Sequence, residues 1–184
     1  NLILILGLFI VFLISLPITF IGYRSQLFSF LGVSFLFWFI LRDKETILPK
    51  FFILPPLFTI WANLHGGFIL GIVILIFYAF EKFVQKKYKK SFLIIIIAIF
   101  CAAAALINPF GKNIYQEVYR HSWYPLDKLI AEWVPPSNIF IVLIIAIISG
   151  FSLLLFLQRK NLEFYRKNTF LILSWLFFIY LAFK

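Results

Sequence analysis

The sequence is poor in residues that form crosslinks, bind metals or carry negative charge. Its 184 residues include one cysteine, two histidines and no methionine. A single cysteine, Cys101, excludes a disulfide framework within the chain and a zinc site built on cysteines. Aspartate and glutamate together number seven, against 17 lysines and arginines. Any carboxylate chemistry therefore depends on very few side chains.

Charged residues as a whole are scarce, at 13%, while 64% of the residues are hydrophobic and the mean hydropathy is +1.04. A soluble domain of this length needs more polar residues to cover its surface. Several apolar runs of about 15 to 20 residues match the thickness of a bilayer's hydrocarbon core. The composition therefore predicts an all-α fold, a polytopic transmembrane helical bundle, with the lipid bilayer as its partner. The bias toward isoleucine, phenylalanine, lysine and asparagine fits an AT-rich bacterial genome. The expected location is therefore the bacterial cytoplasmic (inner) membrane, since the chain is predicted to be a membrane protein.

The apolar segments predict six to seven crossings, over residues 2–21, 26–41, 51–80, 92–107, 139–157 and 169–183. The third segment is about 30 residues long, too much for one untilted crossing. It is interrupted at Asn63-Leu64-His65-Gly66-Gly67, where the glycines permit a turn and close helix approach, which predicts a broken helical hairpin. One long helix kinked at the glycines is the alternative. We expect a single transmembrane domain over 1–184, part of a longer membrane protein, since methionine is absent and residue 1 is asparagine.

Positive charge predicts the orientation of these segments. Lysines and arginines concentrate near residues 42–50, 82–90 and 159–167, and loops of this kind face the cytoplasm. The polar motifs of the chain lie at the opposite ends of the apolar segments, which predicts one extracytoplasmic face that gathers them. The net charge of +10 is then explained by the orientation of the basic loops and does not indicate binding to nucleic acid. Anionic lipid headgroups or a lipid pyrophosphate are the expected acidic partners.

The first candidate site residues, Asn63 and His65, belong to the motif Trp61-Ala62-Asn63-Leu64-His65-Gly66-Gly67. Burying an imidazole and a carboxamide is costly unless each finds a partner. One interpretation is that they bind a polar headgroup or assist proton transfer. The other is that they satisfy backbone groups left free at the turn.

Glu132 and Trp133 precede a stiff Pro135-Pro136 segment. The carboxylate of Glu132 could be a catalytic base, a metal ligand or a partner of Arg24, or a surface acid beside an interfacial tryptophan. No spacing of histidines and acids matches a known metal motif, such as His-Glu-x-x-His. Glu81 and Glu163 interleave with basic residues, so we interpret them as solvated.

Arg24 and Gln26 open the second apolar segment. An arginine on the less cationic side indicates an anionic partner, either an acid or a phosphate, although interfacial snorkelling is the alternative. Asn108 begins the motif Asn108-Pro109-Phe110-Gly111, which is typical of a helix stop and also shapes the cavity. Tyr115 follows closely enough to reach the same cavity.

These motifs together, Arg-x-Gln-x-x-Ser, Trp-Ala-Asn-Leu-His-Gly-Gly, Asn-Pro-Phe-Gly and Glu-Trp-x-Pro-Pro, resemble a family of bacterial polytopic membrane proteins similar to the GT-C glycosyltransferases. The resemblance covers residues 24–136. Relatives often have Arg-Pro-Gln where this chain has Arg24-Ser25-Gln26. The matching positions are Arg24, Gln26, Ser29, Trp61, Asn63, His65, Gly66, Gly67, Asn108, Pro109, Gly111, Glu132, Trp133 and Pro136.

The resemblance implies transfer of a sugar from a polyprenyl-phosphate-linked donor at the extracytoplasmic face. It implies catalytic roles for Glu132, as acid, base or ligand of a divalent ion (Mg or Mn), and for His65. GT-C enzymes usually keep an acid in the first extracytoplasmic loop, but residues 22–25 contain none. The role then passes to Glu132 or to a part of the protein preceding this chain. The implied substrate-binding residues are Arg24, Gln26, Trp61, Asn63, Asn108, Tyr115 and Trp133.

Two other functions stay open on the sequence. A transporter or flippase for a lipid or polar solute would use a broken hairpin as its binding site, but it usually pairs two of them in inverted halves. A non-catalytic membrane scaffold would show more faces of small residues than Ala102 to Ala105 provide. The sequence does not determine an oligomeric state.

Overall fold

The computed structural model describes residues 25–42, 48–123, 145, 149–150, 152 and 160–182, and every regular element in these ranges is a helix. Four of the six helices contain 17 residues each. The helices are α1 (Gln26–Arg42), α2 (Leu48–Leu64), α3 (Phe68–Val84), α4 (Tyr88–Ala104), α5 (Asn113–Trp123) and α6 (Leu162–Ala182).

The prediction of a polytopic transmembrane bundle is wrong for these helices. Across the described ranges, no helix combines the length and the apolarity that a membrane crossing requires. A helix of 17 residues is about 25 Å long, against a hydrocarbon core of about 30 Å. α6 has 21 residues, but Glu163, Arg166 and Lys167 occupy its amino-terminal part. The predicted span 2–21 lies outside the described residues, as does nearly all of 139–157.

The long apolar segment 51–80 is divided at His65-Gly66-Gly67, where α2 ends and α3 begins. α3 then leads through the turn Gln85–Lys87 into α4, which packs antiparallel to it; the Ser91 hydroxyl donates to the Ala79 carbonyl at 2.8 Å. Lys86 has a φ of 62° in this turn, a left-handed conformation that is uncommon for lysine. α2 runs parallel to α4, and polar side chains of α2 reach the carboxyl end of α4.

Trp61 lies at the centre of the core and is 2% exposed. A Cβ atom at Gly32 of α1 would lie 2.7 Å from its indole ring, and one at Gly71 of α3 would also lie 2.7 Å from it. The two glycines therefore let three helices meet around one large aromatic side chain. The buried apolar residues around it include Leu36, Leu54, Phe58, Phe68, Ile74, Ile94, Ile97 and Phe170.

The outer faces of the described helices are also apolar. Each helix carries at least one large hydrophobic side chain that is exposed, for example Phe28, Phe52, Ile76, Phe92, Tyr119 and Leu176. Exposed apolar side chains in this number suit contact with another apolar phase or partner.

Glu81 is buried, so its interpretation as a solvated acid is wrong. α6 is kinked at Asn168, whose φ of −117° and ψ of 15° are not helical. The kink is bridged by the side chains of Glu81 in α3 and of Gln85, which caps the carboxyl end of α3. Glu81 Oε2 accepts the Phe170 N–H at 3.0 Å, and Gln85 Nε2 donates to the Arg166 carbonyl at 3.2 Å. Residues 81 and 85 are four apart and share one helix face. This pair therefore joins α3 to both halves of α6.

Candidate functional site

A chain of hydrogen bonds links α1 to the turn between α2 and α3. The Trp61 indole N–H donates to Ser29 Oγ at 3.0 Å, and Ser29 Oγ lies 2.6 Å from His65 Nδ1. The Gly67 backbone N–H also donates to His65 Nδ1, at 3.0 Å. Because a backbone N–H can only donate, Nδ1 of His65 is an acceptor, and Ser29, which accepts from Trp61, donates its own proton to Nδ1. Two donors therefore converge on one ring nitrogen.

This geometry defines the protonation state of His65. Since Nδ1 accepts two hydrogen bonds, the imidazole is neutral and carries its proton on Nε2. Burial acts in the same direction, because it lowers the pKa of His65 below its ordinary value of 6.5. No described residue bonds to Nε2, so this N–H on a half-buried ring is available to a ligand. In this state His65 acts as a hydrogen-bond donor.

Gly67 is required at this turn by close approach. A Cβ atom there would overlap the Ser29 hydroxyl and lie 2.9 Å from His65 Nδ1. Its φ of −66° is ordinary, so any residue could adopt the backbone conformation. The space taken by Ser29 and His65 is therefore what excludes larger residues.

An apolar groove adjoins the hydrogen-bond chain and has a volume of about 320 Å³. It runs between α1 and α2, and Trp61 belongs both to its wall and to the hydrogen-bond chain. Trp61 and Leu64, the residue before His65, therefore connect the groove to the hydrogen-bond chain, while His65 itself is not among the lining residues. Its lining residues are Phe28, Leu31, Gly32 and Phe35 of α1 and Leu57, Ile60, Trp61 and Leu64 of α2.

Asn63 does not project its amide hydrogens toward a ligand. Its Nδ2 donates to two backbone carbonyls, Thr59 and Ile107, each at 2.8 Å. Thr59 Oγ1 adds a bond to the Ala104 carbonyl at 3.0 Å. The carbonyls at the carboxyl end of a helix have no partner within the helix, and these side chains supply one to Ala104 and Ile107 at the end of α4. For Asn63 the structure thus favours the backbone-satisfying interpretation.

Asn108 and Tyr115 serve the same end of α4. Asn108 Nδ2 donates to the Ala105 carbonyl at 2.6 Å, and its Oδ1 accepts the Phe110 N–H at 2.7 Å. The Tyr115 hydroxyl donates to the Ala102 carbonyl at 2.6 Å. Burial is the main reason that the pKa of Tyr115 is raised. Both residues therefore hold the helix end, next to the site and not within its hydrogen-bond chain.

The structure brings together Trp61 and His65, two of the predicted site residues. It adds Ser29, which belongs to the Arg-x-Gln-x-x-Ser motif but was not among the predicted site residues. Gln26 lies in the first turn of α1, one turn before Ser29. Arg24, Glu132 and Trp133 lie outside the described residues. The part of the chain that is described contains no group of three or more His, Cys, Asp or Glu side chains placed to hold a metal ion.

Comparison with family models, curated proteins and solved structures gives no match to this chain.

The depressed pKa of His65 predicts a loss of stability at mildly acidic pH. The unfolded chain binds a proton near pH 6.5 while the folded chain resists it, so stability is fully present above that pH and declines below it. We expect the denaturation midpoint to be constant above about pH 7 and to fall as the pH drops toward about 5.5. Thermal unfolding in mild detergent measures this. His65→Asn should flatten the dependence, and an unchanged dependence in that variant would assign it to other groups.

Proposed function

We propose that this chain binds a polyprenyl-phosphate-linked sugar and transfers the sugar, in the manner of a GT-C-like glycosyltransferase. The observation that carries the proposal is the hydrogen-bond donor of His65 beside the apolar groove between α1 and α2. A ligand that fits both must carry a polar or anionic group next to an apolar chain. A polyprenyl phosphate has this composition.

The lipid bilayer is the proposed environment of the protein, at the bacterial cytoplasmic membrane. Exposed apolar side chains on every described helix suit contact with acyl chains. The groove is open along the side of α1 and α2, so a lipid-linked donor could enter it from the surrounding lipid without passing through water. The lipid-linked sugar and the groove that binds it would then both lie in the lipid phase.

The proposed chemistry is displacement at the sugar. An acceptor hydroxyl oxygen bonds to the anomeric carbon while the bond from that carbon to the phosphate oxygen breaks, and the polyprenyl phosphate leaves with the electron pair. The Nε2–H of His65 donates to a phosphate oxygen as its charge grows, a form of electrostatic stabilisation. Following the family resemblance, Glu132 takes the proton of the acceptor and Arg24 binds the phosphate.

His65→Ala is the direct test. Removing one donor from a developing negative charge lowers turnover by about 100-fold or more. The assay is release of polyprenyl phosphate from a radiolabelled polyprenyl-phosphate-linked glucose by the full chain in lipid. Glu132→Gln should be similarly inactive, and His121→Ala is the matched control that should retain activity. Full activity in both His65→Ala and Glu132→Gln would overturn the proposal.

The groove is tested separately by filling it. Leu57→Trp places a large ring between α1 and α2 and should prevent capture of a photoreactive polyprenyl phosphate, with labelled peptides lost from both helices. Leu93→Trp makes the same change at an exposed position of α4 and should leave capture intact. Equal capture by both variants would show that the groove does not hold the lipid chain.

A further inference from the structure

A second surface, at the opposite end of the bundle from His65, carries a concentration of lysines. Lys86, Lys87, Lys89 and Lys90 surround the turn between α3 and α4 and line a hollow of about 510 Å³ together with Tyr88. Three of the four lysines are exposed and Lys90 is half-buried. None of the ion pairs between described residues involves any of them. Their positive charge is therefore directed to whatever lies outside this turn.

The acids nearest to this turn are already engaged. Glu81 is 5% exposed; its Oε1 pairs with Lys82 at 2.7 Å and its Oε2 accepts the Phe170 N–H. On α6, Glu163 pairs with Lys167 at 2.7 Å, and this ion pair lowers the pKa of its carboxyl. Neither acid is free to neutralise the four lysines.

The amino-terminal part of α6 extends the positive surface. The hydrogen bond from Gln85 to the Arg166 carbonyl, at 3.2 Å, holds α6 against the turn, and Arg166 is exposed. We define the basic end as Lys86, Lys87, Lys89, Lys90 and Arg166. Its residues come from α4, α6 and the turn between α3 and α4.

Exposed aromatic rings stand among these cations. Phe83 and Tyr88 are 54% and 57% exposed and pack edge to face, with ring centroids 5.3 Å apart. Phe92, one helical turn beyond Tyr88, is 65% exposed. Aromatic side chains bordered by lysines are typical of surfaces at the boundary between lipid headgroups and acyl chains. A polar polyanion such as a nucleic acid would leave the two phenylalanines without an apolar partner.

We propose that the basic end docks on an anionic lipid surface. The lysines and Arg166 contact headgroup phosphates, and Phe83, Tyr88 and Phe92 enter the boundary with the acyl chains. This docking is independent of sugar transfer, since it uses none of the residues around His65. It would hold the bundle in one orientation relative to the lipid.

The test measures partition of the full chain, delivered from mild detergent, onto floating vesicles. One set is phosphatidylcholine alone and the other contains about one third phosphatidylglycerol, enough to give a negative surface potential. We expect tighter partition onto the anionic set, with the advantage decreasing as salt is raised. Lys89→Gln with Lys90→Gln should reduce that advantage by about 30-fold, at roughly one kilocalorie per mole for each cation.

The matched control is Lys112→Gln with Arg120→Gln, which removes the same charge from the other end of the bundle. This variant should keep the preference for anionic vesicles. Equal loss in the two variants would overturn the proposal, because net charge alone would then explain binding. Equal partition onto neutral and anionic vesicles would also overturn it, as would displacement of the chain from anionic vesicles by a short RNA duplex. Sugar transfer measured in the same variants tests the proposed role of His65 independently of docking.

Discussion

Glu81→Ala should lower the free energy of unfolding by about 3 kcal/mol, the largest effect that we expect from a single side chain. The carboxylate is buried and makes two contacts, to the Lys82 ammonium and to the Phe170 N–H. Alanine would leave that N–H without a partner at the kink of α6 and would leave Lys82, which is largely buried, without its counter-ion. Thermal and denaturant unfolding in mild detergent measure the loss.

Two other variants define the cause of this loss. Glu163→Ala removes an exposed carboxylate paired with Lys167 and should leave the unfolding midpoint unchanged, because exposed ion pairs contribute little. Glu81→Gln retains an oxygen that can accept the Phe170 N–H while it removes the charge, so its loss should be intermediate. If Glu81→Ala proves as harmless as Glu163→Ala, the contact between α3 and α6 does not contribute to stability.

Gly71→Ala should destabilise the protein by about 2 kcal/mol, although alanine is the better helix former by about 1 kcal/mol. The added Cβ would lie 2.7 Å from the rings of both Phe58 and Trp61, and these rings are too well packed to move freely. Displacing Trp61 would also break its hydrogen bond to Ser29. We therefore expect a lower melting temperature together with reduced capture of polyprenyl phosphate.

Gly150→Ala is the control for helix propensity. Gly150 is also helical, but a Cβ atom there would meet nothing within 4 Å. The same substitution should therefore leave stability unchanged or raise it. Gly32→Ala, which brings a Cβ to 2.7 Å from Trp61 on its other side, should resemble Gly71→Ala. If all three variants have the same stability, the close packing around Trp61 does not determine the effect of these substitutions.

Local signals in the sequence indicated where helices stop and where charge concentrates. Two glycines after His65 predicted the interruption between α2 and α3, because glycine permits turns and close approach. Asn108-Pro109 predicted a helix stop, and the Asn108 side chain does satisfy backbone groups at the end of α4. The lysines of residues 86–90 were visible as one basic segment. Each of these features depends on neighbours in the chain, which a sequence displays directly.

The wrong step was from apolar runs to membrane crossings, because helices do form at two of the predicted runs, as Gln26–Arg42 and Tyr88–Ala104. The runs at 26–41 and 92–107 were predicted to cross a membrane, yet the described helices are too short, or in α6 too charged at one end, to do so. Hydropathy reports how apolar a segment is. Where the backbone turns also depends on capping contacts, several of which come from other helices.

The pairings of polar side chains were decided by tertiary structure alone. Ser29 meets His65 across 36 residues of sequence, and Glu81 meets Phe170 across 89. Asn63 and His65 are two residues apart in one motif, yet one bonds to backbone carbonyls and the other presents a donor beside the groove. The sequence by itself determined which polar groups need partners, because a buried polar group is costly without one. Only the packing of the helices decided which partner each group obtained, since those distances depend on contacts far apart in the chain.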